Sequence, residues 1–320
     1  MKAITQDAYG TTETLAYTDV PTPVVGDDEV LIQVRAAGMD PSVWHLMTGL
    51  PLVGRLALGI RKPKIRIRGW DAAGVVEAVG SRVTRFRPGD EVFGAVPGAF
   101  AEFACAPEIK FQHKPVNLSF EQAAALPTSG MTALVGLRDV GHIQPGQNVL
   151  IIGASGGVGH LAVQLAKHFG AQVTGVCSGP NAEAVLALGA DTVIDYTSEK
   201  LTGTYDLILD MAGNRPLAEL RSLLTPTGTL VLGGGENGGR WMAGIDRSLR
   251  AVLLSPFVRH RLRGLLALPD PEVLGVLAEL ATAGAVTPKL TRTFALPEVP
   301  TAIDHLLTAH PLGKIVITVS

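Results

Sequence analysis

The sequence predicts an α/β protein in which a β-rich domain is interrupted by a doubly wound parallel-sheet domain. Three observations carry that expectation. Val149-Leu150-Ile151-Ile152-Gly153-Ala154-Ser155-Gly156-Gly157-Val158-Gly159 is a short apolar run, a glycine turn and the start of an amphipathic helix through Ala162, Val163, Leu165, Ala166 and Phe169. Strand-like and helix-like segments alternate from there to about residue 283. Strand texture dominates the first hundred residues and returns in the last thirty.

In the first hundred residues, β-branched or alternating runs occur at Glu29–Ala36, Gly74–Val79, Glu91–Val96 and Ala99–Cys105. Pro21-Thr22-Pro23, Gly26-Asp27-Asp28 and Arg87-Pro88-Gly89-Asp90 supply the turns between them. Ser119-Phe120-Glu121-Gln122 reads as a capping box opening a helix through Leu126. Pro127 interrupts it, and a second helix follows from about Gly130 to Val140. Strands are expected at 148–152, 172–176, 192–195, 206–210, 228–232 and 262–268, with helices at 157–169, 180–188, 215–224 and 271–283. Such alternation calls for a parallel sheet covered on both faces. Leu290–Phe294 and Lys314–Val319 then read as strands flanking a helix near Val299–Ala309. The expected division is residues 1–122 completed by 286–320 as one domain and 123–285 as the other, with the cleft between them the default site.

Composition narrows the function classes. At 320 residues, with 47% apolar and 18% charged residues, the chain is sized for two packed domains. A net charge of −2 with interspersed signs gives no nucleic-acid surface. No apolar run approaches the roughly 18–20 residues that span a bilayer, so stable membrane insertion is not expected. The start lacks the segments of a secretory signal. Cys105 and Cys177 cannot build a disulfide framework or a multi-Cys metal site. A cytoplasmic location is the plain expectation.

A strand feeding a glycine turn and a helix makes an anion site. Glycines let backbone approach a pyrophosphate, and the helix N-terminus offers N–H groups and partial positive charge. Gly153, Ser155, Gly156, Gly157, Val158 and Gly159 are therefore candidate dinucleotide-binding residues. The second strand ends in Cys177-Ser178-Gly179-Pro180-Asn181. Sites specific for NAD place there a carboxylate that binds the ribose 2′-OH and repels a 2′-phosphate. Ser178 is neutral and able to donate, which favours NADPH over NADH, with Cys177 and Asn181 beside it.

An ordered set of motifs resembles one family. Gly69-Trp70-Asp71-Ala72-Ala73-Gly74-Val75-Val76-Glu77-Ala78-Val79-Gly80, Phe86-Arg87-Pro88-Gly89-Asp90-Glu91-Val92-Phe93-Gly94, Leu126-Pro127-Thr128-Ser129-Gly130-Met131-Thr132-Ala133-Leu134 and the glycine turn are similar to medium-chain dehydrogenases/reductases. The likeness is to their zinc-free quinone oxidoreductase branch, and it extends to Gly189-Ala190-Asp191, Tyr205–Asp210 and Gly313-Lys314-Ile315-Val316-Ile317. It implies a GroES-like catalytic domain joined to a Rossmann domain, and a homodimer formed through the nucleotide domains. By the same resemblance, Ala212 and Gly213 close a strand over the cofactor, and Gly233-Gly234-Gly235 passes the nicotinamide side. Thr132 lies near the nicotinamide and phosphates, and Tyr196 lies near the adenosine or simply covers the sheet edge. Gly313-Lys314 returns beside the nicotinamide, or Lys314 is a solvated strand-end charge.

Zinc-dependent relatives use a Cys, the His of Gly-His-Glu and a later Cys or acid, and catalytic zinc needs three protein ligands. Here Trp70 stands at the His position, Asp40 falls near the early Cys, and His45, His113 and His142 form no cluster. No metal is expected. Without one to polarise a simple ketone, the natural acceptors are quinones and α,β-unsaturated carbonyls, which delocalise incoming charge. The expected reaction is NADPH-dependent hydride transfer to such a small molecule. Asp40 replaces the family Asn, either as a donor or as a cap on the Pro41 turn. Trp44, Trp70 and Trp241 are cleft walls or ordinary core. Alternatives are an alcohol dehydrogenase, an enoyl-thioester reductase (its tyrosine acid is absent at Thr48–Val53), or a cofactor-binding protein without catalysis. The stretch Arg247–Arg263 reads as a domain-edge or membrane-surface helix.

Overall fold

The computed structural model describes residues 1–234, 239, 241, 242, 244–309 and 312–319. The chain opens on an antiparallel hairpin, β1 (Lys2–Gln6) with β2 (Leu15–Asp19). Then follow β3 (Glu29–Met39), α1 (Ser42–Thr48), α2 (Arg55–Leu58), β4 (Asp71–Val79), β5 (Glu91–Ala95), β6 (Phe103–Pro107) and β7 (Phe111–His113). Hairpin β1–β2, α1, α2 and the three-residue β7 were not anticipated. Their apolar alternation is short or weak, so the sheet around them, rather than local pattern, decides their conformation. Ala99–Cys105 was expected as a strand, but β6 starts only at Phe103; Ala101 makes a single bridge to Ala3.

The capping box forms: Ser119 Oγ accepts from Gln122 N (3.2 Å) and Gln122 Oε1 from Ser119 N (3.1 Å), opening α3 (Phe120–Ala124). Pro127 does not merely interrupt. It starts α4 (Pro127–Leu134), where a missing N–H costs nothing. The helix then widens over Val135–Val140, with Gly141 N reaching back to Gly136 O at 3.0 Å.

Next come β8 (Asn148–Ile152), α5 (Gly159–His168), β9 (Gln172–Cys177), α6 (Ala182–Ala187), β10 (Thr192–Asp195), β11 (Tyr205–Asp210), α7 (Leu217–Ser222), β12 (Leu224–Leu232), α8 (Ile245–Leu254) and β13 (Arg261–Gly264). These six strands form one parallel sheet in the order β10-β9-β8-β11-β12-β13, which is the doubly wound order reversing between β8 and β11. Leu150, Ile152, Val176, Ile208, Leu230, Leu262 and their neighbours form its core.

The chain returns through α9 (Pro271–Thr282), β14 (Leu290–Ala295), α10 (Val299–Ala309) and β15 (Lys314–Thr318). Strand β15 pairs with both β14 and β3, joining the first strands in the sheet β14-β15-β3-β4-β5-β7, with β6 also on β3. Ile32, Val34, Met39, Val76, Phe111, Val299, Ile303 and Ile317 share one core. At Gly38 a Cβ would lie 2.2 Å from Ala124 O, so only glycine lets α3 rest on β3 there.

The compact units are Met1–Met131 with Pro269–Ser320, and Thr132–Leu268. These bounds differ from 122 and 286 for a physical reason. Helix α9 binds the first unit: Gln112 Nε2 donates to Pro271 O (3.2 Å) and Asn117 Nδ2 to Ala281 O (2.9 Å). Helix α3 packs on β3 and β4. Among the described residues no helix is long and apolar enough to cross a membrane.

Candidate functional site

In the second unit the site is built at the carboxyl ends of β8 and β11, the adjacent strands where the winding reverses. Gly153 takes a left-handed conformation (φ +81°), turning the chain after β8. A Cβ on Gly159 would stand 1.9 Å from Gly153 O and 2.8 Å from Ala154 Cα, so the first residue of α5 must be glycine for the helix to sit this close. Ser155, Gly156, Gly157 and Val158 lie half-buried on the rim of this turn. Glycine at 153 and 159 thus leaves bare backbone at a helix N-terminus, which fits a pyrophosphate.

Beside it, β9 ends at Cys177, whose thiol is buried and pushed up to about 11 by burial, with Asp195 adding to the shift. A thiol held there is a packing group. Ser178 and Asn181 are half-buried, and Asn181 Nδ2 donates to Ser178 Oγ (3.3 Å). Asp195, on the neighbouring strand, would meet a Cβ of Gly179 at 2.6 Å. Its carboxylate is held below the usual range, first by hydrogen bonds from Thr197 N (2.9 Å) and Oγ1 (2.7 Å). Tyr196 is exposed and donates its backbone N–H to Cys177 O.

Asp210 was not singled out from the sequence, yet it organises the facing loops. Fully buried, it accepts from Ala212 N (3.2 Å) and Gly213 N (3.1 Å) through Oδ1, and from Arg247 Nη2 (2.6 Å) through Oδ2. Its carbonyl takes Gly233 N (2.9 Å) and Gly234 N (3.2 Å). A Cβ on Gly234 would meet Met211 O at 2.1 Å, so the two loops run in contact. Gly235 lies outside the described residues. Arg247 also donates to Arg215 O (2.8 Å), while its Nε and Nη1 are buried without a partner. Thus Arg247 is not spread on the surface of a basic helix; it is a half-buried cation beside the loop at 212–213, with donors to spare for an anion. The legible signal was a carboxylate ending the apolar strand Leu207-Ile208-Leu209-Asp210, where burial demands a partner. Trp241 is largely exposed, so it is not core.

In the first unit, four buried polar side chains from separate elements converge. Asp71, at the start of β4, accepts from Thr128 Oγ1 (2.6 Å) and Thr128 N (3.0 Å), capping the first turn of α4. Lys314 Nζ donates to Ser129 Oγ (2.9 Å) and lies 3.9 Å from Asp40 Oδ2. With its side chain 1% exposed, Lys314 is not the solvated strand-end charge that was one expectation. Gly313 takes φ +74° against Lys289 O, which turns the chain into β15. Asp40 Oδ1 accepts from Ser42 N (2.8 Å), the cap anticipated for the Pro41 turn. Burial, and then the nearby Asp40 charge, pushes the Asp71 carboxyl up to about 7 against the pull of Lys314 and Thr128. Thr132 lies one turn further along α4. Trp44 packs partly buried against the core with its ring 5.1 Å from His45, and Trp70 is half-buried. Among the described residues no three His, Cys, Asp or Glu side chains group to hold a metal ion. A polar cavity of about 260 Å³ lined by His142, Asp206, Thr227 and Arg261 opens at the amino ends of the parallel strands, away from the end where such sheets bind ligands.

Comparisons agree with this arrangement. Residues 26–117 match the family model described as the alcohol dehydrogenase GroES-like domain, and residues 188–317 the one described as zinc-binding dehydrogenase. The chain is 34% identical, over 100% of its length and 89% of the relative's, to the mitochondrial NAD(P)H oxidoreductase RTN4IP1 of Mus musculus. It is 31% identical to 2-methylene-furan-3-one reductase of Solanum lycopersicum, over 99% of this chain and 79% of that one. The structure of the quinone oxidoreductase from Coxiella burnetii superposes with a TM-score of 0.84 at 32% identity, covering 100% of this chain and 99% of that one. The chain is an oxidoreductase that belongs to the medium-chain dehydrogenase/reductase superfamily, in its quinone oxidoreductase branch.

Proposed function

We propose that the protein is a zinc-independent, NADPH-dependent reductase that transfers a hydride to a quinone or an activated α,β-unsaturated carbonyl. The observation that carries this reading is the glycine turn at the strand-order reversal, where residue 159 can hold no side chain. A bound nicotinamide coenzyme supplies the hydride. The chain's own residues do the binding and orienting. Backbone at 153–159 receives the pyrophosphate. Asp210 fixes the loops at 212–213 and 233–234, and Arg247 offers its remaining donors there.

Ser178 supports the 2′-phosphate reading, because a neutral hydroxyl at the end of β9 does not repel it. In the first unit, Asp71 and Lys314 grip the first turn of α4 through Thr128 and Ser129. Asp40 caps the turn before α1, and Trp44 and Trp70 offer flat faces for a flat acceptor. Trp70 in place of the zinc-ligating His favours acceptors that need no Lewis acid; conjugated carbonyls delocalise the charge and take a proton from solvent.

A homodimer is part of the proposal. Strand β13 pairs with β12 and, among the described residues, ends the sheet, followed by exposed Leu266 and Leu268 and neighboured by exposed Leu253 and Phe257. Two unpaired thiols suit a reducing compartment such as the cytoplasm.

The test is NADPH oxidation with 1,4-quinones, 2-alkenals, crotonyl thioesters and simple alcohols and ketones, with a chelator present. Turnover of the first two classes is expected. Turnover of alcohols alone refutes the reading, and tight NADPH binding with no turnover leaves a binding protein.

A further inference from the structure

Between Asp40 and Asp71 the chain carries no acidic residue and six basic ones, in a protein whose net charge is −2. Three of the six are spent on structure. Arg55 donates to Thr48 O (3.1 Å) and Gly49 O (3.0 Å), and Arg68 donates to Leu46 O (3.2 Å), so both cap the C-terminal end of α1. Arg66 pairs with Asp7 (2.6 and 3.1 Å). Arg61, Lys62 and Lys64 remain, all exposed, and none appears in a salt bridge among the described residues.

They sit on a closed loop. Lys64 N donates to Leu58 O (2.9 Å), and Tyr9 Oη donates to Gly59 O (2.8 Å). Gly59 takes φ +118° where a Cβ would lie 2.1 Å from Lys62 O. Interleaved with the three cations are Leu56, Ile60 and Ile65, which are 73%, 69% and 44% exposed.

We propose that residues 56–65 are a docking surface for an anionic lipid bilayer. The cations meet headgroup phosphates, and the three aliphatic side chains enter the boundary with the acyl chains. A soluble polyanion answers the charges but leaves those aliphatics in water, so lipid is the partner that uses both features. On α8 itself the cations are already engaged, Arg250 with Asp246 and Arg247 with Asp210. The surface does not depend on which acceptor the enzyme reduces.

The experiment is co-sedimentation of the full-length protein with vesicles of phosphatidylcholine, with and without phosphatidylglycerol, at low and physiological salt. Binding is expected only with phosphatidylglycerol and should weaken as salt screens it. The triple variant R61Q/K62Q/K64Q should bind about a hundredfold more weakly, at roughly fivefold per charge near the surface. The triple variant L56S/I60S/I65S, and I60S alone in smaller measure, should also lose affinity at low salt, with melting temperatures matching the parent. No dependence on phosphatidylglycerol overturns the proposal. So does full binding by the serine variants, which would leave a general polyanion surface, or release by L253S/F257S instead.

Discussion

Asp71 has no exposed surface, and it accepts hydrogen bonds from both the backbone N–H and the hydroxyl of Thr128. With its carboxyl raised from 3.8 to about 7, the folded protein holds a proton that the unfolded chain releases above about pH 4. This contribution to stability is therefore full below pH 4 and is lost as pH rises toward 7. Asn at this position still accepts from Thr128 N and can donate to the hydroxyl. Asp71→Asn should flatten that decline between pH 4 and 7 in urea unfolding; an unchanged slope would refute the shift. Asp40→Asn keeps the bond to Ser42 N, so turnover should fall less than about tenfold, whereas loss of a general acid costs about 10²–10⁴. Rates should be compared at saturating acceptor, and a loss in the larger range would make Asp40 the proton donor. The Asp40 cap is local and readable in the chain order, but the partners of Asp71 and Lys314 are not. Asp71 and Thr128 are 57 residues apart and Lys314 and Ser129 are 185, so only the folded sheet brings the charges together.

Elements were more legible than single contacts, because their signals are local. The run at 149–152, the left-handed glycine at 153 and the apolar face of α5 each specify their own conformation, and β8 and α5 form where expected. The capping box at Ser119 is equally self-contained. Helix α1 was missed because distant groups hold its last carbonyls: Gln6 Nε2 on Met47 O (2.8 Å), Arg68 on Leu46 O and Arg55 on Thr48 O. The turn before α5 gives a paired prediction. Gly159→Ala drives a methyl into Gly153 O and should weaken NADPH binding at least tenfold by fluorescence titration. Gly156→Ala meets nothing nearer than Gly153 O at 3.4 Å and should melt close to the parent, well above Gly159→Ala. Equal behaviour of the two variants would deny the turn its role.

For the whole molecule, the order of six parallel strands and the return of β15 to β3 account for the interrupted arrangement seen in the pattern of strand and helix signals. The sequence placed the domain bounds less well, since α9 looks like one more crossover helix until Gln112 and Asn117 are seen to bind it. If the edge of β13 pairs two copies, Leu266→Glu with Leu268→Glu should shift light-scattering mass from dimer to monomer; a parent that is already monomeric would refute that assembly. The most direct test of the central claim is calorimetric titration of the parent and Ser178→Asp with NADPH and NADH. NADPH should bind the parent in the micromolar range and at least as tightly as NADH, and the order should reverse in the variant. Association of neither coenzyme up to millimolar concentration would contradict the claim.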